Sequence, residues 1–231
     1  MRDTLTKGLP ELGVDLKHIE QLESFSAMLV KKNEVMNLTG ITEPREVATL
    51  HLLDSLSLLP LGDLKGKKII DVGTGAGFPG VPLKIALPES EVTLLDSLNK
   101  RVDFLQESCD ALGLEKVICV HARAEEFGHR EEFDYAVSRA VAALPILCEL
   151  CLPLIKVGGE FLAMKSSHTE EEINDAKAAI ALLGGAITEV IDYTIPTTDI
   201  VHRVVRIRKE KPTPKKYPRR FAQIKKQPLG R

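Results

Sequence analysis

The sequence predicts an α/β fold built on an open, mostly parallel β-sheet with helices on both faces. From residue 67 onward, short β-branched runs alternate with stretches of helical periodicity, which is typical of parallel strands joined by crossover helices. The last two predicted strands are separated by the short segment PTTDI, which is too short for a crossover helix. These two strands should therefore form an antiparallel hairpin at the end of the sheet.

Helical periodicity dominates the chain before the sheet. Apolar residues recur every three or four positions over residues 15–33, which predicts an amphipathic helix. A second helix is predicted over residues 46–59. On it, His51, Asp54 and Ser55 share one face, because they are three and four positions apart. We expect this trio to form hydrogen bonds between the helix and its neighbours, since it offers few ligands for a metal.

Seven strands and the helices between them follow in regular order. The strands are predicted at residues 68–72, 91–96, 116–121, 134–139, 159–165, 186–195 and 201–209. Helices are predicted at residues 97–113, 144–155 and 168–185, and a further helix should open just after the first strand. The chain is therefore expected to divide into an N-terminal helical segment (1–62) packed on the core, the core itself (63–209) and a C-terminal tail (210–231).

Length and composition narrow the class of protein. A chain of 231 residues can enclose one α/β core with appendages. No apolar run approaches the ~18–20 residues of a membrane span, and the first residues lack the apolar centre of a secretory signal. Four cysteines without framework spacing indicate a reducing, cytoplasmic setting. Cys148 and Cys151 form a C-x-x-C inside a predicted helix, and we expect them to be core residues.

The charge of the chain is strongly asymmetric. The last part, residues 206–231, holds eleven Lys or Arg residues against one acidic residue, a net charge of +10 that leaves −12 on residues 1–205. A basic tail on an acidic body favours a polyanionic partner, although a solvated tail is the alternative. Tyr217 and Phe221 are interleaved with these cations, and aromatic rings can stack on unpaired bases. We therefore expect contact with RNA.

The stretch IIDVGTGAGFPG carries the main functional signal. A strand that contains Asp71 is followed by glycines at every second position, Gly73, Gly75 and Gly77. Glycine there lets the backbone take positive φ angles and lets a ligand approach it closely. The amides that open the next helix then face an anionic group. A second strand ends at Asp96, where a ribose diol would lie, so a nucleotide-containing cofactor is expected.

Two cofactors are compatible with these glycines. Read from Gly75, the segment is a G-x-G-x-x-G dinucleotide fingerprint; read from Asp71, it is D-x-G-x-G-x-G, the first motif of S-adenosylmethionine-dependent methyltransferases. In a dinucleotide fold the first glycine should follow the strand almost directly. That residue is Gly73, and its third partner would be Phe78 rather than glycine. S-adenosylmethionine is therefore favoured, and NAD remains the alternative.

The motifs DVGTGAGFPG, LLDSLNKRVDFL, ARAEEF, VSRA and KYPRR, preceded by NLTGIT and HLLDSL, closely resemble the RsmG/GidB family of bacterial methyltransferases. The resemblance runs from about Asn37 to Leu229. It implies a Rossmann-like class I methyltransferase fold with a mostly parallel seven-stranded sheet, an antiparallel last strand and an N-terminal helical cap. It also implies methyl transfer from S-adenosylmethionine to guanine N7 of 16S ribosomal RNA, with S-adenosylhomocysteine as product. The expected partner is that RNA or a small-subunit particle.

The resemblance also implies a set of cofactor contacts. Gly73 and Phe78 would touch the methyl donor, Ala124 and Glu125 would flank its adenine, and Arg139 would complete the pocket. The residues themselves support this, because 124–125 follow the third strand and Arg139 ends the fourth, at the carboxyl edge where such sheets bind ligands. With those inferred from the loop, the expected cofactor site comprises Asp71, Gly73, Gly75, Gly77, Phe78, Asp96, Ala124, Glu125 and Arg139.

Substrate contacts are expected from basic side chains. Arg139 and Lys165 are candidates to position the guanine or a phosphate. Because guanine N7 has a free lone pair, no general base is expected. No metal is expected either. The expected RNA contacts are Lys100, Arg101, Arg123, Lys215, Lys216, Arg219 and Arg220. We expect a monomer. Alternatives that stay open are a methyltransferase acting on another RNA or a small molecule, an RNA-binding protein without activity, and an NAD-dependent oxidoreductase.

Overall fold

A seven-stranded β-sheet forms the centre of the protein in the computed structural model, which describes residues 1–230. Every strand that the sequence predicts is present, and β5 departs most from its predicted bounds, since it begins four residues early. The strands are β1 (Lys68–Val72), β2 (Glu91–Asp96), β3 (Val117–His121), β4 (Phe133–Arg139), β5 (Ile155–Ser166), β6 (Gly185–Thr194) and β7 (Val201–Lys209).

The strand order is β3-β2-β1-β4-β5-β7-β6. The five strands from β3 to β5 are parallel, and β7 runs antiparallel to both β5 and β6. Because β1 lies between β2 and β4, the carboxyl ends of these strands meet at one edge of the sheet, with Val72 opposite Leu95 and Asp71 opposite Val137. The predicted fold class and terminal hairpin are confirmed, and the reversal of strand order around β1 opens a crevice at this edge.

Helices cover both faces of the sheet. A π-helical stretch, Val47–Leu53, joins α3 to α4, so that the predicted helix 46–59 is a continuous helical segment over 44–56. The α-helices of the described chain are α1 (Arg2–Glu11), α2 (Ile19–Met36), α3 (Pro44–Glu46), α4 (Asp54–Leu56), α5 (Gly80–Ala86), α6 (Asn99–Ala111), α7 (Leu144–Cys151), α8 (Glu170–Leu182) and α9 (Phe221–Lys226).

The first helix, α1, is not predicted by the sequence pattern. Gly8 and Pro10 both have low helix propensity, so the local sequence argues against a helix there. Tertiary packing overrides that preference, because Leu5 and Leu9 are fully buried. Gly8 permits the close approach, since a Cβ on it would lie 2.5 Å from Cδ1 of Leu53.

Two hydrophobic clusters lie on opposite faces of the sheet. The first includes Phe25 of α2 and Leu52 from the π-helical stretch, together with side chains of one sheet face. The second joins the other face to α7 and α8, and includes Ile224 of α9. Both ends of the chain thus contribute to the core, while its predicted division at residues 62 and 209 stays a prediction.

The C-terminal tail packs on the second cluster instead of extending into solvent. Tyr217 is 6% exposed and Ile224 is fully buried. Two backbone carbonyls of the tail, those of Thr213 and Tyr217, accept hydrogen bonds from the guanidinium of Arg130. The expectation that Tyr217 stacks on RNA bases is therefore wrong, because its ring is used as core.

The cysteines of the C-x-x-C motif also belong to this core. Cys148 and Cys151 are free thiols on α7 with no exposed surface, which confirms the prediction of core residues. Over residues 1–230, no three His, Cys, Asp or Glu side chains are grouped so that they could hold a metal ion. Among the helices in the same range, none combines the length and apolar character needed to cross a membrane.

Candidate functional site

A cleft of about 570 Å³ lies at the carboxyl edge of the sheet, where β1, β2 and β4 end. Most of the sequence-predicted cofactor residues line it, and the N-terminal segment and the tail each add side chains that the prediction lacked. The predicted residues in its lining are Gly73, Gly75, Phe78, Asp96, Arg101, Arg123, Ala124, Glu125 and Arg139. The added ones include Thr39, His51 and Phe221, whereas Asp71, Gly77, Lys100, Lys165, Lys215, Lys216, Arg219 and Arg220 do not line it.

The glycine loop leaves the end of β1 with positive φ angles of 72° at Gly73 and 60° at Gly75. The amides of Gly73 and Thr74 both donate to the carbonyl of Leu95, which fixes the loop to β2. A Cβ on Gly73 would lie 2.7 Å from Val141, whereas a Cβ on Gly75 would meet no atom closer than 3.9 Å. Gly73 is therefore required by packing and conformation, and Gly75 keeps its side of the cleft open.

Asp71 lies behind the loop, not in the cleft. Its carboxylate is fully buried, and Oδ2 accepts a hydrogen bond of 2.8 Å from the amide of Gly80. Burial raises the pKa of Asp71 to about 7, although hydrogen bonding by the Thr74 hydroxyl and the Gly80 amide opposes that rise. The expected contact between Asp71 and the cofactor is thus replaced by an indirect role, in which the carboxylate ties the loop to the start of α5.

Gly80 is a functional position that the sequence analysis missed. It opens α5, and a Cβ there would lie 2.3 Å from Cδ2 of Leu94 and 2.8 Å from Oδ2 of Asp71. Only a residue without a side chain lets the helix start approach both β2 and the carboxylate. The signal in the sequence is the final glycine of GFPG, the last of the closely spaced glycines.

Asp96 joins the loop to the end of β2. Its Oδ2 accepts from the amide of Gly75 and its Oδ1 accepts from the amide of Leu98, both at 2.9 Å. The guanidinium of Arg101 lies 3.5 Å from Oδ2, and Asp96 is 4% exposed. Each carboxylate oxygen has two lone pairs, so Asp96 can still accept hydrogen bonds from a ligand in the cleft.

A short turn after β3 forms another wall of the cleft. It is a 3-10 turn, Ala124–Glu126, and the Glu125 carboxylate accepts a hydrogen bond of 2.7 Å from Nε of Arg123. The guanidinium of Arg123 lies 4.8 Å from the ring centroid of Phe221. Phe221 thus reaches the cleft from the tail, a contact that no local pattern could have indicated.

Arg139 connects the end of β4 to the N-terminal helical segment. Its Nη1 donates to the carbonyl of Leu50 at 2.9 Å and to Oδ2 of Asp54 at 2.8 Å. The guanidinium also lies 5.1 Å from the ring centroid of Phe78 and 3.2 Å from Nδ1 of His51. The predicted hydrogen-bonding role of His51 and Asp54 is confirmed. Arg139 lines the cleft, and its contact with a cofactor stays a prediction.

Asp54 is the centre of this network. Its Oδ1 accepts hydrogen bonds from the hydroxyl of Tyr193 at 2.8 Å and from Nδ1 of His202 at 2.9 Å, in addition to the bond from Arg139 to Oδ2. Burial opposes ionisation of Asp54, but the hydrogen bond from His202 and the charge of Arg139 together lower its pKa below the usual value. The carboxylate therefore ties the helical segment, β4 and the terminal hairpin together.

His51 presents a neutral ring to the cleft. Burial and the nearby charge of Arg139 lower its pKa to about 4. Nδ1 lies 3.2 Å from both Nη2 of Arg139 and the carbonyl oxygen of Leu50, and Nε2 lies 2.8 Å from Oγ1 of Thr39. The imidazole stacks on Phe78 with ring centroids 4.5 Å apart. His51 thus supports the Phe78 ring and offers no charged proton donor at neutral pH.

Lys165 does not line the cleft, so the expectation that it grips a substrate is not supported by its position. Its ammonium donates to the carbonyl of Ala142 at 2.8 Å and to Oε1 of Glu172 at 2.5 Å. The same carboxylate accepts from the amide of Leu144. These bonds tie Lys165 to the loop between β4 and α7 and to Glu172 of α8, so its charge is paired within the protein.

The expected RNA-contacting cations fall into two groups, those at the cleft and those in the C-terminal tail. Lys100 is exposed beside the cleft, Arg101 and Arg123 line it, and the tail residues Lys215, Lys216 and Arg220 are exposed. Arg219 differs, because its Nη2 lies 2.6 Å from Oε2 of the fully buried Glu149. Its charge neutralises a buried carboxylate and is not offered to a partner, so Arg219 leaves the set of expected RNA contacts.

Comparison with known proteins identifies strong similarity in sequence. The family model described as rRNA small subunit methyltransferase G matches residues 18–200. A protein named "Ribosomal RNA small subunit methyltransferase G" from Alkaliphilus metalliredigens is 50% identical over 232 residues, covering 97% of both chains. Its namesake from Alkaliphilus oremlandii is 49% identical over 236 residues and covers 99% of both chains.

Comparison of structures agrees on the fold. A crystal structure of M. jannaschii TYW2 in complex with AdoMet superposes with a TM-score of 0.54 at 15% sequence identity. The match covers 64% of this chain and 71% of that one. At this identity, the likeness shows a shared architecture of sheet and helices.

Proposed function

The chain belongs to the rRNA small subunit methyltransferase G family, and on that premise we propose that it transfers a methyl group from S-adenosylmethionine to N7 of a guanine in 16S rRNA of the small ribosomal subunit. The observation that carries the proposal is the hydrogen bond from the Gly75 amide to Asp96, which brings the glycine loop and the acid of β2 into one cleft. The family supports methyl transfer over the alternative of hydride transfer with NAD. Because the substrate in this proposal is rRNA, we also propose that the protein acts in the cytoplasm.

The residues of the cleft fit an S-adenosyl nucleoside. Asp96 keeps free lone pairs for two ribose hydroxyls, and the space beside Gly75 is open. Glu125 stands at the turn after β3, where its carboxylate can accept from the exocyclic amine of adenine. These residues would hold the cofactor.

The chemistry requires orientation more than proton transfer. S-adenosylmethionine supplies an electrophilic sulfonium methyl, which the lone pair of guanine N7 can take without first losing a proton. The protein therefore needs no general base, and the neutral imidazole of His51 is suited to a supporting role. Alignment of the reacting groups is worth up to ~7–11 kcal/mol in the best intramolecular models.

Phe78 is the residue best placed to shape the reacting end of the cleft. Its ring is 5% exposed and is fixed from one side by the His51 ring and from another by the edge of Phe25. Arg139 lies over the same ring, in a cation–π contact. Because Arg139 is held by Asp54 and Leu50, it keeps the helical segment closed on the cleft and leaves the aromatic surface in place.

Cations around the cleft mouth supply the RNA contacts in this proposal. Arg101 and Arg123 line the cleft. Two exposed cations adjoin lining residues in sequence, since Lys100 precedes Arg101 and Arg220 precedes Phe221. Phosphate neutralisation by such side chains releases counterions and contributes most of the non-specific affinity for RNA. The target guanine must be unstacked to enter the cleft, which favours a loop or a partly assembled particle as substrate.

The proposal is tested by methyl transfer in vitro. Small subunits and naked 16S rRNA, both from cells that lack the protein, are incubated with it and S-adenosylmethionine carrying a labelled methyl group. We expect label in 16S rRNA, and mass mapping should place a single methyl on one guanine at N7. Label on another base, or none on either RNA, would contradict the proposal.

Two variants control this experiment. Asp96→Asn removes the charge that faces the cleft and should slow transfer at least ~10-fold when S-adenosylmethionine is limiting. Asp110→Asn removes an exposed carboxylate from α6 and should leave transfer unchanged. The comparison between particle and naked rRNA then identifies the physical substrate. Transfer at the wild-type rate by Asp96→Asn would exclude the cleft as the site.

A further inference from the structure

The C-terminal segment contributes an aromatic ring to the cleft. Phe221, the first residue of α9, lines the cleft together with Arg123 and Glu125. These three side chains form a connected row, since Arg123 pairs with the Glu125 carboxylate at 2.7 Å and lies 4.8 Å from the Phe221 ring centroid. The row runs from the turn after β3 to the tail, so one wall of the cleft is built by a segment outside the α/β core.

The position of Phe221 is fixed by buried contacts on both sides of it in sequence. Arg219 binds the fully buried Glu149 through Nε at 2.8 Å and through Nη2 at 2.6 Å, and its backbone amide donates to the same carboxylate. Ile224, three residues after Phe221, has no exposed surface. The charge of Arg219 is thus used to dock the tail on α7, and the ring of Phe221 is held over the cleft as a result.

The surroundings of the ring select a flat, uncharged aromatic group. Ala122 and Ala124 pack with Phe221 against one hydrophobic cluster, which also contains Leu150 of α7, and all four line the cleft. The Glu125 carboxylate, whose charge is paired with Arg123, can still accept a hydrogen bond from an amine. Apolar walls beside a hydrogen-bond acceptor are the chemistry of a site for a purine base that carries an exocyclic amine.

We propose that Phe221 forms one wall of the adenine subsite and that the C-terminal segment thereby completes the cofactor cleft. This inference rests on the proposed function, because the adenine belongs to the S-adenosyl cofactor. The basic tail is then part of the cofactor site as well as a candidate RNA contact. Phe221 is expected to act on affinity for the adenosyl group and not on the methyl transfer step.

The inference is tested by calorimetric titration of the full chain with two ligands that share the adenosine group, S-adenosylhomocysteine and 5′-methylthioadenosine. Stacking of a base on an aromatic side chain typically contributes enough that Phe221→Ala should weaken both ligands about tenfold. The factor should be the same for both, because they differ only in the amino-acid portion. Phe221→Tyr should restore the affinity, since it retains the ring.

Matched variants separate this role from packing. Phe221→Leu keeps apolar volume without the ring and should remain folded with reduced affinity, while Lys225→Ala on the exposed side of α9 should bind like wild type. Wild-type affinity in Phe221→Leu and Phe221→Ala would overturn the inference and leave the proposed function intact. A loss confined to S-adenosylhomocysteine would also overturn it. Absence of binding to the unaltered protein would overturn the proposed function, and this inference with it.

Discussion

Replacing the buried acid behind the glycine loop should stabilise the protein above neutral pH. Asp71 is fully buried, and its pKa rises from 3.8 to about 7 because burial disfavours the carboxylate. Well below pH 3.8 both folded and unfolded chains hold the proton, so ionisation of the group has no effect on folding. As pH rises toward 7, the unfolded chain releases the proton first, and the free energy of unfolding falls.

The magnitude follows from the size of that pKa rise. At 1.36 kcal/mol for each pKa unit, the folded protein loses about 4 kcal/mol of stability between pH ~4 and pH ~8. Asp71→Asn has the same shape, carries no charge and can still accept from the Gly80 amide through its side-chain oxygen. The variant should therefore gain up to about 4 kcal/mol over wild type at pH ~8 and differ little at pH ~4.

Urea unfolding at a series of pH values measures the effect. Subtracting the wild-type curve from that of Asp71→Asn cancels all groups that the two proteins share, including Asp54 and His51. Asp110→Asn controls for the loss of one negative charge at an exposed site. A difference between Asp71→Asn and wild type that stays constant from pH ~4 to pH ~8 would refute the reasoning.

Three other changes test the packing and charge around the site. Asp54→Ala should cost about 3–5 kcal/mol in urea unfolding, because it removes a buried carboxylate and leaves Arg139, Tyr193 and His202 without their shared acceptor. Tyr193→Phe removes only one bond to that carboxylate and should cost ~1 kcal/mol. Equal losses in the two variants would contradict this. Gly80→Ala should cost ~1–3 kcal/mol, since its Cβ would lie 2.3 Å from a β2 side chain, and an unchanged unfolding midpoint would be inconsistent with that clash. Neutralising Lys215 and Lys216 with Gln should weaken RNA binding and reduce its salt dependence by ~1 per charge; a salt slope equal to that of wild type would show that the tail cations do not contact RNA.

Local pattern was sufficient for the sheet and for most of the cleft. The strands were predicted because β-branched runs alternate with helical periodicity, and their ends place the glycine loop, Asp96, the turn at Ala124 and Arg139 on one edge by the rules of parallel sheets. The hairpin formed by β6 and β7 followed from the length of a single linker. In each case, the signal lies within a few residues of the feature it predicts.

The features that were missed depend on contacts between distant parts of the chain. Helix α1 forms because Leu5 and Leu9 are buried in the hydrophobic core, not because its local sequence favours a helix. Charge alone could not separate Arg219, which pairs with buried Glu149, from its exposed neighbour Arg220. Lys165 lies at the end of β5, yet its ammonium is bound by Glu172 and by the Ala142 carbonyl. Sequence indicates which groups are available, and the tertiary fold decides which of them are neutralised internally.

The tail illustrates the same limit. Its composition predicted a basic appendage, but Tyr217 and Ile224 are core residues, and the segment between them is docked on α7. Removing the tail would therefore open the second hydrophobic cluster. Substitution of individual exposed cations is the appropriate test of RNA contact.

Calorimetric titration of wild type and Asp96→Asn with S-adenosylhomocysteine and with NADH tests the central claim most directly, because both the glycine loop and the end of β2 converge on Asp96. We predict one-to-one binding of S-adenosylhomocysteine by wild type, weakened at least ~10-fold in Asp96→Asn by loss of charge-assisted hydrogen bonds, and no uptake of NADH. Tight binding of NADH, with none of the demethylated cofactor, would contradict the account.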